Sequence, residues 1–359
     1  MGVEGILFIL DGVETLMDLL IFDMDGVLID VSRSYRETIQ RTVQIYLKTC
    51  LGFKDGDAEP VTKEDISLFK SAGGFNNDWD LTAGLLVFLL SISGFPPSPK
   101  EKKFSSISET ISDLRTRSSN LNRNITQLIH RKNLPLFIRK VKLAGGGLQG
   151  VRKALKGSWE GWVYGGGDLD QTNVVKRIFQ EVYLGERFTS FYHLPPLFHK
   201  KQGLYLREKL IIPKGILSSL RKRFRLGIAS GRPRFEAELA LKRFRLLPYF
   251  DSVVTLDECH EEEVRIFHKT GRKAKFTKPH PYSVLRVVQE IGIPNPLCGY
   301  VGDVVDDMLA VKAARKKLKI LAIGFFSGGK RDKTIKDSLL KAGADLIIDN
   351  PRALLQSLS

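Results

Sequence analysis

Four short stretches of the chain carry residue types able to handle a cation and a phosphate. Asp23 and Asp25, separated only by Met24 and followed by Gly26, set two carboxylates at the end of the apolar run Leu19-Leu20-Ile21-Phe22. Carboxylates this close repel, and burial disfavours their charge, so the pair needs a compensating partner. A hard cation held by carboxylate and carbonyl oxygens supplies it, and Mg2+ suits a site that also holds phosphate. A second acidic cluster, Gly302-Asp303-Val304-Val305-Asp306-Asp307, follows another apolar run and would face the first across a sheet. One metal between the clusters explains both. Ser230-Gly231 offers a hydroxyl and unhindered backbone N–H groups for phosphate oxygens at a helix start. Lys278, in Thr277-Lys278-Pro279-His280-Pro281, brings a cation on a segment stiffened by two prolines.

The elements that must position these groups are legible from the pattern. Leu19–Phe22 reads as a buried parallel strand, and further strands are expected at 226–229, 298–301, 318–323 and 345–348, with helical patterns between them. This is a βαβ series, hence an α/β fold with a Rossmann-like, doubly wound parallel sheet whose ligands bind beyond the carboxyl ends of the strands. Residues 33–212 separate the first strand from the next, far more than a crossover needs. They are expected to form an inserted, mainly helical domain, leaving 1–32 and 213–359 as one discontinuous core. At 359 residues the chain exceeds the length a single hydrophobic core usually serves, which agrees. Helices are expected at 34–51, 79–91, 107–129 and 174–183. Within the third, Ile107, Ile111, Leu114, Ser118, Leu121, Ile125 and Leu128 form a heptad-like stripe that either packs inside the insertion or makes a dimer contact. The segment Leu7–Val13 weakly echoes the first acidic motif, with Ile9 where its first aspartate would stand.

The formal charge is +16, unevenly spread. Residues 1–100 sum to −7, while 101–230 hold 25 Lys and Arg against 9 Asp and Glu. By domain the insertion carries +11, concentrated around 98–165, and the core only +5. Such an insertion either steers anionic substrates or contacts nucleic acid or a protein partner; it has no stacking-aromatic pattern and no recognisable nucleic-acid motif. Cys50, Cys259 and Cys298 suit a reducing compartment, with the cytoplasm expected. The longest apolar run, 85–92, is too short to span a bilayer, and no membrane partner is expected.

Taken in order, Asp23-Met24-Asp25-Gly26-Val27-Leu28, Ile228-Ala229-Ser230-Gly231-Arg232, Lys278-Pro279, and Gly302-Asp303 with Asp307 resemble the four motifs of the haloacid-dehalogenase-like hydrolase superfamily. The resemblance is to the subfamily with a helical cap after the first motif, and to its phosphoglycolate-phosphatase-like members. It covers residues 17–32 and 213–359. It implies that Asp23 is a nucleophile forming an aspartyl-phosphate, and that Asp25 is first the acid for the leaving group and then the base for water. It also implies that Ser230 and Lys278 hold the phosphoryl group. Mg2+ would be bound by Asp23, the Asp25 backbone carbonyl, Asp303 and Asp307, with Asp306 in a supporting role at most. Relatives that displace halide lack the second acid, and the P-type ATPase relatives carry Thr there, so Asp25 points to hydrolysis of a phosphate ester with turnover.

The activity implied is a Mg2+-dependent phosphatase for a small phosphorylated metabolite; a phosphomutase of the same family, or a binding protein using the basic insertion, are the rival readings. Caps of this kind set substrate choice, which makes Asn76, Asn77 and Asp78 candidates for a substrate loop, or for the N-cap of the apolar helix that follows. Arg232 and Arg234 pair either with substrate phosphate or with nearby carboxylates. His280 is expected to be structural, and residues 1–16 to be a dispensable extension.

Overall fold

A computed structural model describes residues 8–10, 13–15, 17–54, 58–75, 77–98, 102–121, 123–326 and 333–358. The chain divides into two compact units, Met1–Asp30 with Lys209–Ser359, and Val31–Glu208. Among the described residues the first contains ten strands. A small antiparallel hairpin pairs β1 (Phe8–Leu10) with β2 (Val13–Thr15). Next come β3 (Leu19–Phe22), β4 (Ile29–Asp30), β5 (Lys209–Leu210), β6 (Arg225–Ala229), β7 (Ser252–Val254), β8 (Leu297–Gly302), β9 (Lys319–Phe325) and β10 (Leu346–Ile348).

Six of these form a sheet in the order β10-β9-β8-β3-β6-β7, and every pairing in it is parallel. The α/β reading of the sequence holds, with β3 at the centre because its four apolar residues are buried on both faces. Leu19 stands opposite Arg225 on one side and Cys298 on the other, which brings the ends of β3, β6 and β8 level. β7 is an edge strand that the sequence pattern does not single out. β4 and β5 pair antiparallel as a short ribbon outside the main sheet. Helices Lys214–Arg221, Arg234–Phe244, Leu256–Thr270, Tyr282–Ile291 and Val305–Ala314 connect these strands. The core under the sheet includes Leu19, Ile21, Ala229, Val287, Cys298, Tyr300 and Met308.

The second unit is helical. Tyr35–Ile45 runs on into a π-helical turn at Tyr46–Cys50; Lys63–Lys70 begins with a capping box between Thr62 and Asp65; and Asp78–Ser93 is apolar almost all round and correspondingly buried. The heptad-like stripe does not lie on one helix. It spans two, Ile107–Ser118 and Ile125–His130, because Asn124 N-caps the second by accepting from Gln127 N at 2.8 Å. Ile107, Leu114, Ser118, Ile125 and Leu128 are buried within the unit, which is the packing alternative. A buried Arg177–Glu181 pair ties the Val174–Leu184 helix to the segment after it, since Glu181 also accepts from the backbone N–H groups of Leu197, Phe198 and His199. Among the described residues no helix is long and apolar enough to cross a membrane.

Candidate active site

Three strand ends deliver the acidic and hydroxyl groups to one place. The Asp23 N–H donates to Val301 O at 2.8 Å, and the Ser230 N–H to Val254 O at 2.9 Å, so each residue continues its strand's ladder by one position before the chain turns away. Asp303 follows β8 directly. The turn after β3 needs glycine: Gly26 has φ +78°, and a Cβ there would lie 2.0 Å from the Asp303 carboxylate. Gly302 is similarly crowded, with Asp307 Cβ 2.5 Å from where its own Cβ would stand. Two glycines therefore permit the two acidic clusters to meet.

Lys278 lies at their centre. Its Nζ donates to Asp23 Oδ1 and to Asp307 Oδ1, both at 2.7 Å, and it sits 5.3 Å from the centre of the Tyr300 ring. The Lys278–Pro279 peptide is cis. Asp307 is fully buried and is fixed from three further directions: Tyr300 OH donates to its Oδ1 at 3.0 Å, and the N–H groups of Asp303 and Val304 donate to its Oδ2 at 3.2 and 3.3 Å. Burial pushes the Asp23 carboxyl up to about 7; Lys278 opposes the shift, while Asp307 and Asp25 add to it. For Lys278, burial acts to lower the pKa, but Asp23 and Asp307 outweigh it and hold the ammonium well above its usual value. The cluster thus carries more negative charge than one ammonium balances.

That surplus is what a divalent cation fits. Asp23, Asp303 and Asp307 each offer a carboxylate oxygen, and these atoms lie within 4.8 Å of one another. Oxygen donors of this kind suit a hard divalent cation. Asp307 is the buried member of the Asp306-Asp307 pair; Asp306 is not in this group.

Asp25 lives in a different environment, two residues from Asp23. Its side chain is 30% exposed, and Arg232 Nε donates to its Oδ1 at 2.6 Å, with Nη2 2.5 Å from the same oxygen. The guanidinium itself is 1% exposed. Arg232 N–H donates to Ser230 Oγ at 3.1 Å, which fixes the hydroxyl at the start of the turn after β6. Arg234 pairs with Glu258, a surface-carboxylate partner as the sequence allowed. His280 takes a structural place: its Nδ1 accepts from Tyr282 N at 3.2 Å and its ring packs edge-on against Phe276.

The loop candidates belong to the helical unit. Asn77 caps the Asp78–Ser93 helix, its Oδ1 accepting from Asp80 N at 2.7 Å, and Asp78 pairs with Lys70 at 2.9 Å. Asn76 lies outside the described residues, as does Asp11 of the N-terminal echo. Tyr300 and the Arg232–Asp25 pairing are the site features that the sequence does not announce. The available signal for Tyr300 was a single hydroxyl-bearing residue in the otherwise apolar strand β8.

Fold, motif order and this geometry are similar to those of haloacid-dehalogenase-like hydrolases. The family model described as "haloacid dehalogenase-like hydrolase" matches residues 208–315, which include Ser230, Lys278, Asp303 and Asp307; the central strand β3 brings Asp23 and Asp25 to them. A structural-genomics crystal structure shares the fold at a TM-score of 0.58, with 20% identity over 95% of this chain and 99% of that one. So does Phosphatase Tt82 from Thermococcus thioreducens, at a TM-score of 0.50 and 22% identity over 90% and 99% of the two chains. A curated relative, the imidazoleglycerol-phosphate dehydratase of Phytophthora nicotianae, is 24% identical over 297 residues; the match takes in 82% of this chain but only 41% of the relative.

Proposed function

We propose that the chain is a Mg2+-dependent phosphatase that hydrolyses a small-molecule phosphate monoester through an aspartyl-phosphate on Asp23. The observation that carries this reading is the contrast between two aspartates two residues apart. Asp23 is buried against Lys278, whereas Asp25 is partly solvated and held by Arg232. Two carboxylates in such unlike surroundings can divide the labour of nucleophile and proton carrier.

In the first step Asp23 attacks phosphorus; an Asp23 O–P bond forms, the P–O bond to the leaving group breaks, and Asp25 gives its proton to the departing oxygen. In the second, Asp25 takes a proton from water, the water oxygen attacks phosphorus, and inorganic phosphate leaves with Asp23 restored. Ser230, the Gly231 N–H and Lys278 hold the phosphoryl oxygens throughout. Asp23, Asp303, Asp307 and the Asp25 carbonyl would hold Mg2+, which would supply the positive charge that lets a carboxylate approach a phosphate. Arg232 acts through Asp25 by fixing where its carboxylate points. By the family resemblance, the choice of ester falls to the helical unit, with Asn77 and Asp78 on its candidate loop. The named relatives, a phosphatase and an enzyme of a phosphate ester, support a phosphorylated metabolite as substrate.

The test is phosphate release from p-nitrophenyl phosphate with and without Mg2+, followed by a panel containing phosphoglycolate, sugar phosphates, histidinol phosphate and imidazoleglycerol phosphate. Turnover should require the metal and vanish in Asp23→Asn. Normal turnover by that variant would remove Asp23 from the nucleophile's role.

A further inference from the structure

Residues 114–159 contain eleven Lys or Arg and no Asp or Glu. Some of these cations have local partners: Lys132 pairs with Asp65, Arg152 with Glu160, and Arg117 with Asp113. Arg131, Arg139, Lys140, Lys142, Lys153 and Lys156 are exposed and make no ion pair among the described residues.

The helix Leu134–Leu143 organises three of them. Leu134, Phe137, Ile138 and Val141 form its buried face. At 100° per residue, Leu136 and Leu143 project from the opposite face, two turns and about 10 Å apart along the axis. They are 53% and 82% exposed, and Leu143 heads the exposed large apolar side chains. Arg139 flanks this ridge on one side and Lys140 on the other, with Lys142 further round. A protruding apolar ridge flanked by cations on both sides has the form of an interfacial helix. Its leucines enter the acyl boundary while the long basic stems reach back to lipid phosphates.

We propose that the outer face of the helix Leu134–Leu143 docks on the surface of an anionic lipid bilayer. Charge complementarity selects the occupant: a fully unpaired basic face meets the negative potential of anionic headgroups. Nucleic acid would account for the cations, yet phosphate-backbone contacts leave two leading leucines unexplained, and among the described residues of 102–165 no exposed large hydrophobic is an aromatic for base stacking. The sequence expectation of no membrane partner rested on the shortness of the longest apolar run, and an interfacial face needs no such run, so this proposal departs from that expectation.

The experiment is co-sedimentation of the full chain with vesicles of phosphatidylcholine, alone or with a quarter phosphatidylserine, at low and physiological salt. Binding should appear with the anionic vesicles only and weaken with salt. Arg139→Gln/Lys140→Gln should lower the partition coefficient about thirtyfold, at roughly fivefold per charge. Leu136→Ser/Leu143→Ser should lower it about tenfold or more, with p-nitrophenyl phosphate turnover unchanged as the check on folding. In Leu143→Trp, tryptophan emission should shift to the blue on adding anionic vesicles. The proposal is overturned if neither vesicle binds, if both bind alike, or if the leucine variant binds as well as the wild type. A gel shift with RNA or capture of an acidic protein, without vesicle binding, would assign the face to that partner and equally overturn it.

Discussion

Replacing Arg232 with Met should cost the enzyme turnover and leave its apparent substrate affinity nearly intact. The guanidinium is buried and places two donors on one oxygen of Asp25, at 2.6 and 2.5 Å, with the Asp25 side chain 30% exposed. Methionine fills similar space but donates nothing, so Asp25 becomes free to turn toward water. A hydrogen bond to a charged group contributes about 1.5–3 kcal/mol, and the variant should lose stability of that order. The larger effect is on chemistry, because misplacing a catalytic group by an ångström costs about a hundredfold. The expected outcome is therefore a kcat reduced ten- to a hundredfold, KM within about threefold of the wild type, and partial recovery in Arg232→Lys, which restores charge without the two-donor geometry. Steady-state kinetics on p-nitrophenyl phosphate, with thermal melts as a control, measures both. A large rise in KM at unchanged kcat would place the guanidinium on the substrate phosphate and refute the positioning role.

Lys278→Met should be more damaging still, since it leaves Asp23 and Asp307 without the ammonium that both contact; a loss of about 3–5 kcal/mol in a denaturant titration is expected, with turnover abolished. Asn77→Ala should cost about 1 kcal/mol through the lost helix cap while Asn77→Asp keeps the stability, and a rise in KM for the natural ester in the stable Asp variant would mark a substrate contact. In protein freed of Mg2+, Asp23 titrates near 7 instead of in the usual carboxylate range, so between those values the folded chain holds a proton that the unfolded chain has released. Stability of the metal-free protein should therefore rise as pH falls through 7, and added Mg2+ or Asp23→Asn should flatten that dependence. The same slope in Asp23→Asn would assign it to another group.

Much of the core could be read directly because its signals are local. β3, β6, β8, β9 and β10 are apolar runs ending at a turn, and three of them, β3, β6 and β8, adjoin a chemical motif. β7 escapes because Ser252-Val253-Val254 holds only two apolar residues in a row, too short a run to stand out. In the helical unit, spacing alone joined Ile107 to Leu128 into one stripe; Asn124 divides it because a side chain that caps the next helix offers the backbone an alternative to continuing the last. The pairing of Arg232 with Asp25 links residues 207 apart in the sequence, and only the registered ends of β3 and β6 bring them together. Tyr300 is hidden for a similar reason: its hydroxyl matters through Asp307, around a turn whose closeness depends on Gly302. The charge of the insertion was visible in the composition, but the outward direction of Leu136 and Leu143 was not, since their spacing equally suits a buried face.

The central claim is covalent, and it is tested by stopping turnover with acid and locating the phosphoryl group. Wild-type protein quenched during hydrolysis of p-nitrophenyl phosphate in Mg2+, then reduced with borohydride and digested, should yield homoserine at position 23 and nowhere else, and Asp23→Asn should yield none. Phosphate released at the normal rate with the Asp23 peptide unmodified, or the modification found at another residue, would contradict it.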